Sequence, residues 1–298
     1  LDYLYKAIQK ETGVVTQEQD PAVVAEAQPV APYMAAAPAR DSAILPAAEF
    51  STESRTSAAA VGLSRRVPFP VKAERLYCQR VPKMNKERWN ALEQFRVLRS
   101  RVLEMARTQD VHSLMITSAV AAESKTTTSI NLALVLSQVR GVRVCLVDAD
   151  MRKVGIADAL GVSYEKGLDD YLRTPTPLSE VLLQLTDSLY LIPSGGTDES
   201  SAEMLHSETM VGLVQALSQS FDLVIYDTPP LFPVADARIL ANLVDGTLFC
   251  VRAGHTPANV IQEAIELIRP RILGAVLVGA QVNSSGWYYY EHEVDGKE

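Results

Sequence analysis

Lys125 and Thr126 stand where an apolar run gives way to a helical one, in SLMITSAVAAESKTTTSINLALVLSQ, and residues of these types at such a corner can hold phosphate. Backbone N–H groups of the turn and the open N-terminus of the following helix attract an anion. A lysine there reaches the β- and γ-phosphate oxygens, and the next hydroxyl can ligate Mg2+. Ala119, Val120, Ala121, Ala122, Glu123, Ser124, Lys125, Thr126 and Thr127 form the candidate cradle. The strict pattern, G-x-x-x-x-G-K-S/T, asks for glycine at positions 119 and 124, where this chain carries Ala119 and Ser124. A Cβ costs roughly 1 kcal/mol or more where φ is positive, so strain and weaker nucleotide binding are expected at these two positions. The same residues would also serve as a plain helix start without ligand, because Ser and Thr are good caps.

Two more segments supply carboxylates. RVCLVDAD ends in Asp148 and Asp150, followed by Arg152 and Lys153, and FDLVIYDTPP ends in Asp227. An acid at the C-terminal end of an apolar strand is the usual direct or indirect Mg2+ carboxylate of a phosphoryl-transfer site. Ligands of open α/β sheets bind at the carboxyl ends of strands, so these acids are expected to converge on Lys125.

Strand candidates are Ser113–Ser118, Val142–Asp148, Leu189–Pro193, Leu223–Asp227, Thr247–Val251 and Ala275–Val282, and helices such as Thr127–Val139, Met204–Ser218 and Pro257–Ile268 lie between them. Continuous apolar strands alternating with helices predict an α/β fold, a mostly parallel sheet flanked by helices. Residues 85–108 read as one helix whose apolar face comprises Trp89, Leu92, Phe95, Val97, Leu98, Val102 and Met105. Ahead of it, residues 1–11 read as a short amphipathic helix and residues 12–76 as a flexible, Ala- and Pro-rich linker, since repeated prolines and few large apolar residues leave nothing to fold around. The folded domain is expected over 77–284 and a tyrosine-containing tail over 285–298.

Composition narrows the function classes. The 298 residues are 47% hydrophobic and 21% charged, with a formal net charge of −8; this suits a protein with a real core and argues against nucleic-acid binding through a basic surface. Cys78, Cys145 and Cys250 are far apart, and the last two sit in apolar runs, where buried thiols in a reducing compartment are the expectation. His112, His206, His255 and His292 offer no metal spacing, and Ser194-Gly195-Gly196 reads as a turn. No apolar run is long enough to cross a membrane, and the N-terminus does not read as a secretion signal.

The series TSAVAAESKTTTSINLA, VCLVDADMRK and FDLVIYDTPPLFPVADA resembles the cytoplasmic domain of the bacterial protein-tyrosine kinases of capsule and exopolysaccharide export, P-loop ATPases related to MinD and ParA. The resemblance implies an ATP- and Mg2+-dependent autokinase. Lys125, Asp148 and Asp150 would be catalytic, residues 119–127 would bind nucleotide, and Thr126, Asp148 and Asp227 would serve the metal. EQFRVLR matches the family's E-x-x-R-x-x-R motif, so Glu93, Arg96 and Arg99 would mediate self-association into a ring; a solvated helix face is the plain alternative. Tyr288, Tyr289 and Tyr290 match the tail cluster phosphorylated in trans, or else dock as aromatics on the domain. The resemblance also implies a membrane-bound polysaccharide co-polymerase-type activator and recruitment from the cytoplasm to the inner face of the membrane. The departures are Ala119, Ser124, Ala121-Ala122 in place of the family's Pro-Gly, and Val154 in place of its Pro. They leave open a catalytically weakened regulator that keeps the assembly role. A ParA/MinD-type ATPase is a third reading, although Val120 stands where those proteins carry a signature lysine.

Overall fold

The computed structural model describes residues 86–280 apart from 154 and 197–199, with no side-chain description for 86–90 and 270. The expected N-terminal helix, the linker and the tail with Tyr288, Tyr289 and Tyr290 lie outside the described residues.

Seven strands form one sheet in the order β3-β4-β2-β5-β1-β6-β7. They are β1 (Ser113–Ser118), β2 (Val144–Asp148), β3 (Leu183–Gln184), β4 (Leu189–Ile192), β5 (Leu223–Asp227), β6 (Gly246–Arg252) and β7 (Ile272–Val278). Every pairing is parallel except that of the two-residue β3 with β4. The mostly parallel sheet matches the expectation.

Alternating residues of each strand serve opposite faces. Met115, Val147, Val224, Tyr226 and Phe249 join one core, and Leu114, Ile116, Leu146, Ile225 and Leu248 join the other. The second core is covered by α1 (Lys86–Gln109), α2 (Lys125–Ser137) and α3 (Ile156–Leu160). On the first lie α4 (Leu168–Arg173), α5 (Leu178–Val181), α6 (Ser201–Leu205), α7 (Glu208–Ser220), α8 (Asp236–Ala241) and α9 (Ala258–Ile268). Burial on both faces is why these strands read as unbroken apolar runs. None of the described helices is long and apolar enough to cross a membrane. Cys145 and Cys250 are buried and free, as expected.

Several boundaries differ from the sequence reading. The single helix expected over Met204–Ser218 is two, because Ser207 takes an extended backbone and its Oγ accepts the Met210 N–H to cap α7. The last strand runs Ile272–Val278 instead of Ala275–Val282, ending where Gly279 turns to a φ of 74°. On α1, Leu92 and Val102 are buried as expected, but Val97 is 48% exposed. It falls between the 92-95-98-102-105 positions that follow the helical repeat.

Position on that repeat decides stability. Val102→Ala is expected to lower the unfolding free energy by about 1–3 kcal/mol, and Val97→Ala to change it by no more than about 0.5 kcal/mol. Denaturant titration of the two variants checks this, and equal losses would contradict the assigned face.

Candidate active site

The chain leaves β1 at Ser118 and re-enters regular structure at Lys125, so six residues make the turn. The start of the turn is braced from the segment after β5: the Leu231 N–H donates to Ser118 O (2.8 Å) and the Phe232 N–H to Ala119 O (3.0 Å). Ser118 Oγ closes a short bond to Val120 O (2.6 Å). Ala122 and Ser124 have φ of 64° and 63°, the left-handed region that disfavours a Cβ. Here the sequence expectation needs correcting. Ala119 is a buried residue without positive φ, so the strain falls on Ala122 and Ser124. Ala121, Ala122 and Thr127 are exposed, Val120 and Thr126 are half-buried, and Lys125 is buried. Glu123 is also buried, its carboxylate accepting the Arg252 N–H and the Thr256 hydroxyl.

The acids converge as the strand ends predict. Asp148 of β2 and Asp227 of β5 are register partners. Asp227 accepts Thr126 Oγ1 through Oδ2 (2.7 Å) and Ser129 Oγ through Oδ1 (2.8 Å), which ties the first turn of α2 to the end of β5. Asp148 Oδ2 accepts the Ile156 N–H (3.0 Å) and the Gly155 N–H (3.4 Å). Its Oδ1 and that of Asp150 are buried without a hydrogen-bond partner. Burial, with repulsion from Asp227, pushes Asp148 up to about 8. Burial likewise raises Asp227 to about 6, against the opposing pull of the Thr126 and Ser129 hydroxyls and Lys125. Asp150 is raised by burial and pulled back first by the Lys125 charge. Orphaned carboxylate oxygens beside a hydroxyl and a lysine fit a cation with its phosphate. Among the described residues no group of three or more His, Cys, Asp or Glu side chains could hold a metal, so phosphate oxygens would have to complete the coordination of a Mg2+ ion.

The structure also gives partners to residues to which the sequence assigns no role. Ser129 sits one helical turn beyond Lys125, a spacing that could have flagged it. Arg152, two residues past Asp150, forms a two-pronged ion pair with the fully buried Asp236 of α8 (3.0 and 3.1 Å). Asp236 also accepts Ser201 Oγ (2.6 Å). No local pattern joins these three, since they meet only through the fold. Gly195 follows β4 with a φ of 89°, and a Cβ there would collide with the Asp169 carboxylate. On α1, Arg96 pairs with Glu93 on the same helix, while Arg99 donates to Val135 O of α2 (3.3 Å).

Residues 120–262 match the AAA domain family. The chain is 33% identical over 202 residues to the tyrosine-protein kinase YwqD of Bacillus subtilis, across 66% of this chain and 85% of that protein. It belongs to the bacterial tyrosine-protein kinase family. The kinase is also 33% identical over 193 residues to the succinoglycan biosynthesis transport protein ExoP of Rhizobium meliloti, covering 62% of this chain and 24% of ExoP. Among solved structures, the kinase domain of the Escherichia coli tyrosine kinase Etk is similar with a TM-score of 0.61 at 29% identity, over 68% of this chain and 81% of that one. The family and the P-loop fold expected from the three motifs are thus borne out.

The raised carboxylates set a pH dependence. Between about pH 4, where an unfolded aspartic acid ionises, and the folded values of about 8 for Asp148 and about 6 for Asp227, the folded chain holds protons that the unfolded chain has lost. Stability therefore falls as pH rises through that window. Asp148→Asn is expected to raise the melting temperature at pH 8, without nucleotide or Mg2+, and to leave it unchanged at pH 4. A variant less stable than wild type at pH 8 would contradict the assignment.

Proposed function

We propose that this kinase is an ATP-dependent autokinase whose loop 119–127 binds the nucleotide and whose tail tyrosines Tyr288, Tyr289 and Tyr290 are phosphorylated in the neighbouring subunit of a ring. The observation that carries the reading is the convergence of Lys125, Thr126, Asp148, Asp150 and Asp227 at one end of the sheet, with two carboxylate oxygens unpartnered. Backbone N–H groups of the turn and of the first turn of α2 take the phosphates, and Lys125 neutralises charge on the β- and γ-oxygens. Mg2+, held by Thr126 Oγ1 with Asp148 and Asp227, would offset phosphate charge when bound. Asp227, bonded to both Thr126 and Ser129, fixes the hydroxyl where it is needed. A tail phenol oxygen bonds to the γ-phosphorus as the bond to the bridging oxygen breaks and ADP leaves. The phenolic proton passes to the half-buried carboxylate of Asp150, whose raised affinity for protons makes it a better base.

A kinase domain over 77–284 with a tail over 285–298 accommodates this delivery. Glu93, Arg96 and Arg99 are proposed for the ring contact: Arg96 is half-exposed and its partner is on its own helix, so exchange with an acid of a neighbour loses little. The likeness to ExoP supports a membrane-bound polysaccharide co-polymerase-type activator, with the kinase held at the inner face of the membrane and acting in capsule or exopolysaccharide export. A second reading, a regulator with weakened catalysis, is favoured by the two non-glycine residues at positive φ, Ala122 and Ser124.

The test is incubation of wild type, Lys125→Met and a Tyr288–Tyr290→Phe triple variant with MgATP and an activator fragment, followed by mass-spectrometric mapping of phosphotyrosine. Wild type is expected to carry tail phosphotyrosine; Lys125→Met is expected to lose at least about 100-fold of that activity, as removal of a charge-stabilising group does. The triple variant should bind MgATP but stay unmodified in its tail. A wild type that binds MgATP yet is never phosphorylated selects the regulator.

A further inference from the structure

Glu123 is an acid inside the phosphate loop that the chemistry above does not use. It is 1% exposed, and a carboxylate so buried is tolerated only when its oxygens are hydrogen-bonded. One oxygen accepts the backbone N–H of Arg252 and the other the hydroxyl of Thr256. Both donors belong to the far end of β6 and the turn after it, next door to the loop in space but 129 and 133 residues away in sequence. The pairing of β1 with β6 stops at Ser118 and Cys250, while β6 runs on to Arg252. The Glu123 carboxylate therefore takes up an N–H beyond the point where β1 has ended. Its hydroxyl donor Thr256 is itself buried.

The position of this anchor is informative. Glu123 lies between Ala122 and Ser124, the two loop residues held at φ of 64° and 63°. Glycines would enter that backbone shape freely, whereas alanine and serine must be held in it. We propose that Glu123 is a positioning residue. Clamped by Arg252 and Thr256, it keeps the loop in its phosphate-receiving shape in place of the conformational freedom glycine would supply at 122 and 124. The inference rests on the reading that this loop binds nucleotide, and it extends that reading to the end of β6.

The test is a double-mutant cycle. Thr256→Val removes one donor at nearly constant volume, and Thr256→Ser keeps the hydroxyl. Both are made in wild type and in an Ala122→Gly/Ser124→Gly background, and each is titrated with MgATP. Thr256→Val is expected to weaken binding about 10- to 150-fold in wild type, the range for a hydrogen bond to a charged acceptor. Within the glycine background the loss should be at most about 2-fold, and Thr256→Ser should bind like its parent. Amide hydrogen exchange of residues 119–126 without nucleotide is read in parallel, and Thr256→Val should accelerate it about 10-fold in wild type only. Equal loss of affinity in both backgrounds would overturn the clamp, as would unchanged loop exchange with a lowered melting temperature. If wild type fails to bind MgATP at all, the ATP reading fails, while the exchange data still decide whether Glu123 holds the loop.

Discussion

The carboxylates of Asp148, Asp150 and Asp227 are gathered at the carboxyl end of a sheet that is dry on both faces, with Lys125 as the cation acting on two of them. Charge of that sign in that setting is costly unless something positive arrives. The surrounding structure is arranged around this constraint. Thr126 and Ser129 spend their hydroxyls on Asp227, and the backbone of 155–156 turns two N–H groups to Asp148. Even so, Asp148 is held up at about 8. Such a site is destabilising on its own account and makes sense as one completed by a cation and its phosphate.

A second tension lies in the loop itself. Phosphate loops rely on glycine because their backbone must face the ligand, and here two such places carry side chains. What holds the shape comes from outside the loop: Leu231 and Phe232 on one side, the end of β6 through Glu123 on the other. A loop fixed from its neighbours can lose glycines and keep its form, although its tolerance of mutations in those neighbours should shrink.

Much of this was legible in the sequence. The strands buried on both faces, β1 and β5 above all, appear as unbroken apolar runs with correct limits, and the acids stand at the predicted strand ends. The Lys-Thr pair and the two acidic strands pointed to the family before the fold did. What could not be read were relations between distant segments. Arg152 with Asp236 and Ser201, Glu123 with Thr256, and the braces from 231–232 depend on which strands become neighbours, and no local spacing encodes that. The glycine rule was half right for a related reason. It marked Ala119 from the pattern, but the backbone angles place the strain at Ala122 and share only Ser124 with the rule. Short helices such as α3 and α8 were missed because four to six residues carry too little periodicity to register.

On the proposed function, nucleotide and its metal would ionise the one carboxyl held protonated at neutral pH without them, that of Asp148. Calorimetric titration of the full chain with MgATP at pH 7, repeated in buffers of different ionisation enthalpy, measures the protons exchanged on binding. Release of about one proton per nucleotide is expected, because ligation would ionise the Asp148 carboxyl that the nucleotide-free protein keeps protonated at pH 7, and most of this release should disappear in Asp148→Asn. Binding with no proton release, or with release unchanged in that variant, would contradict it.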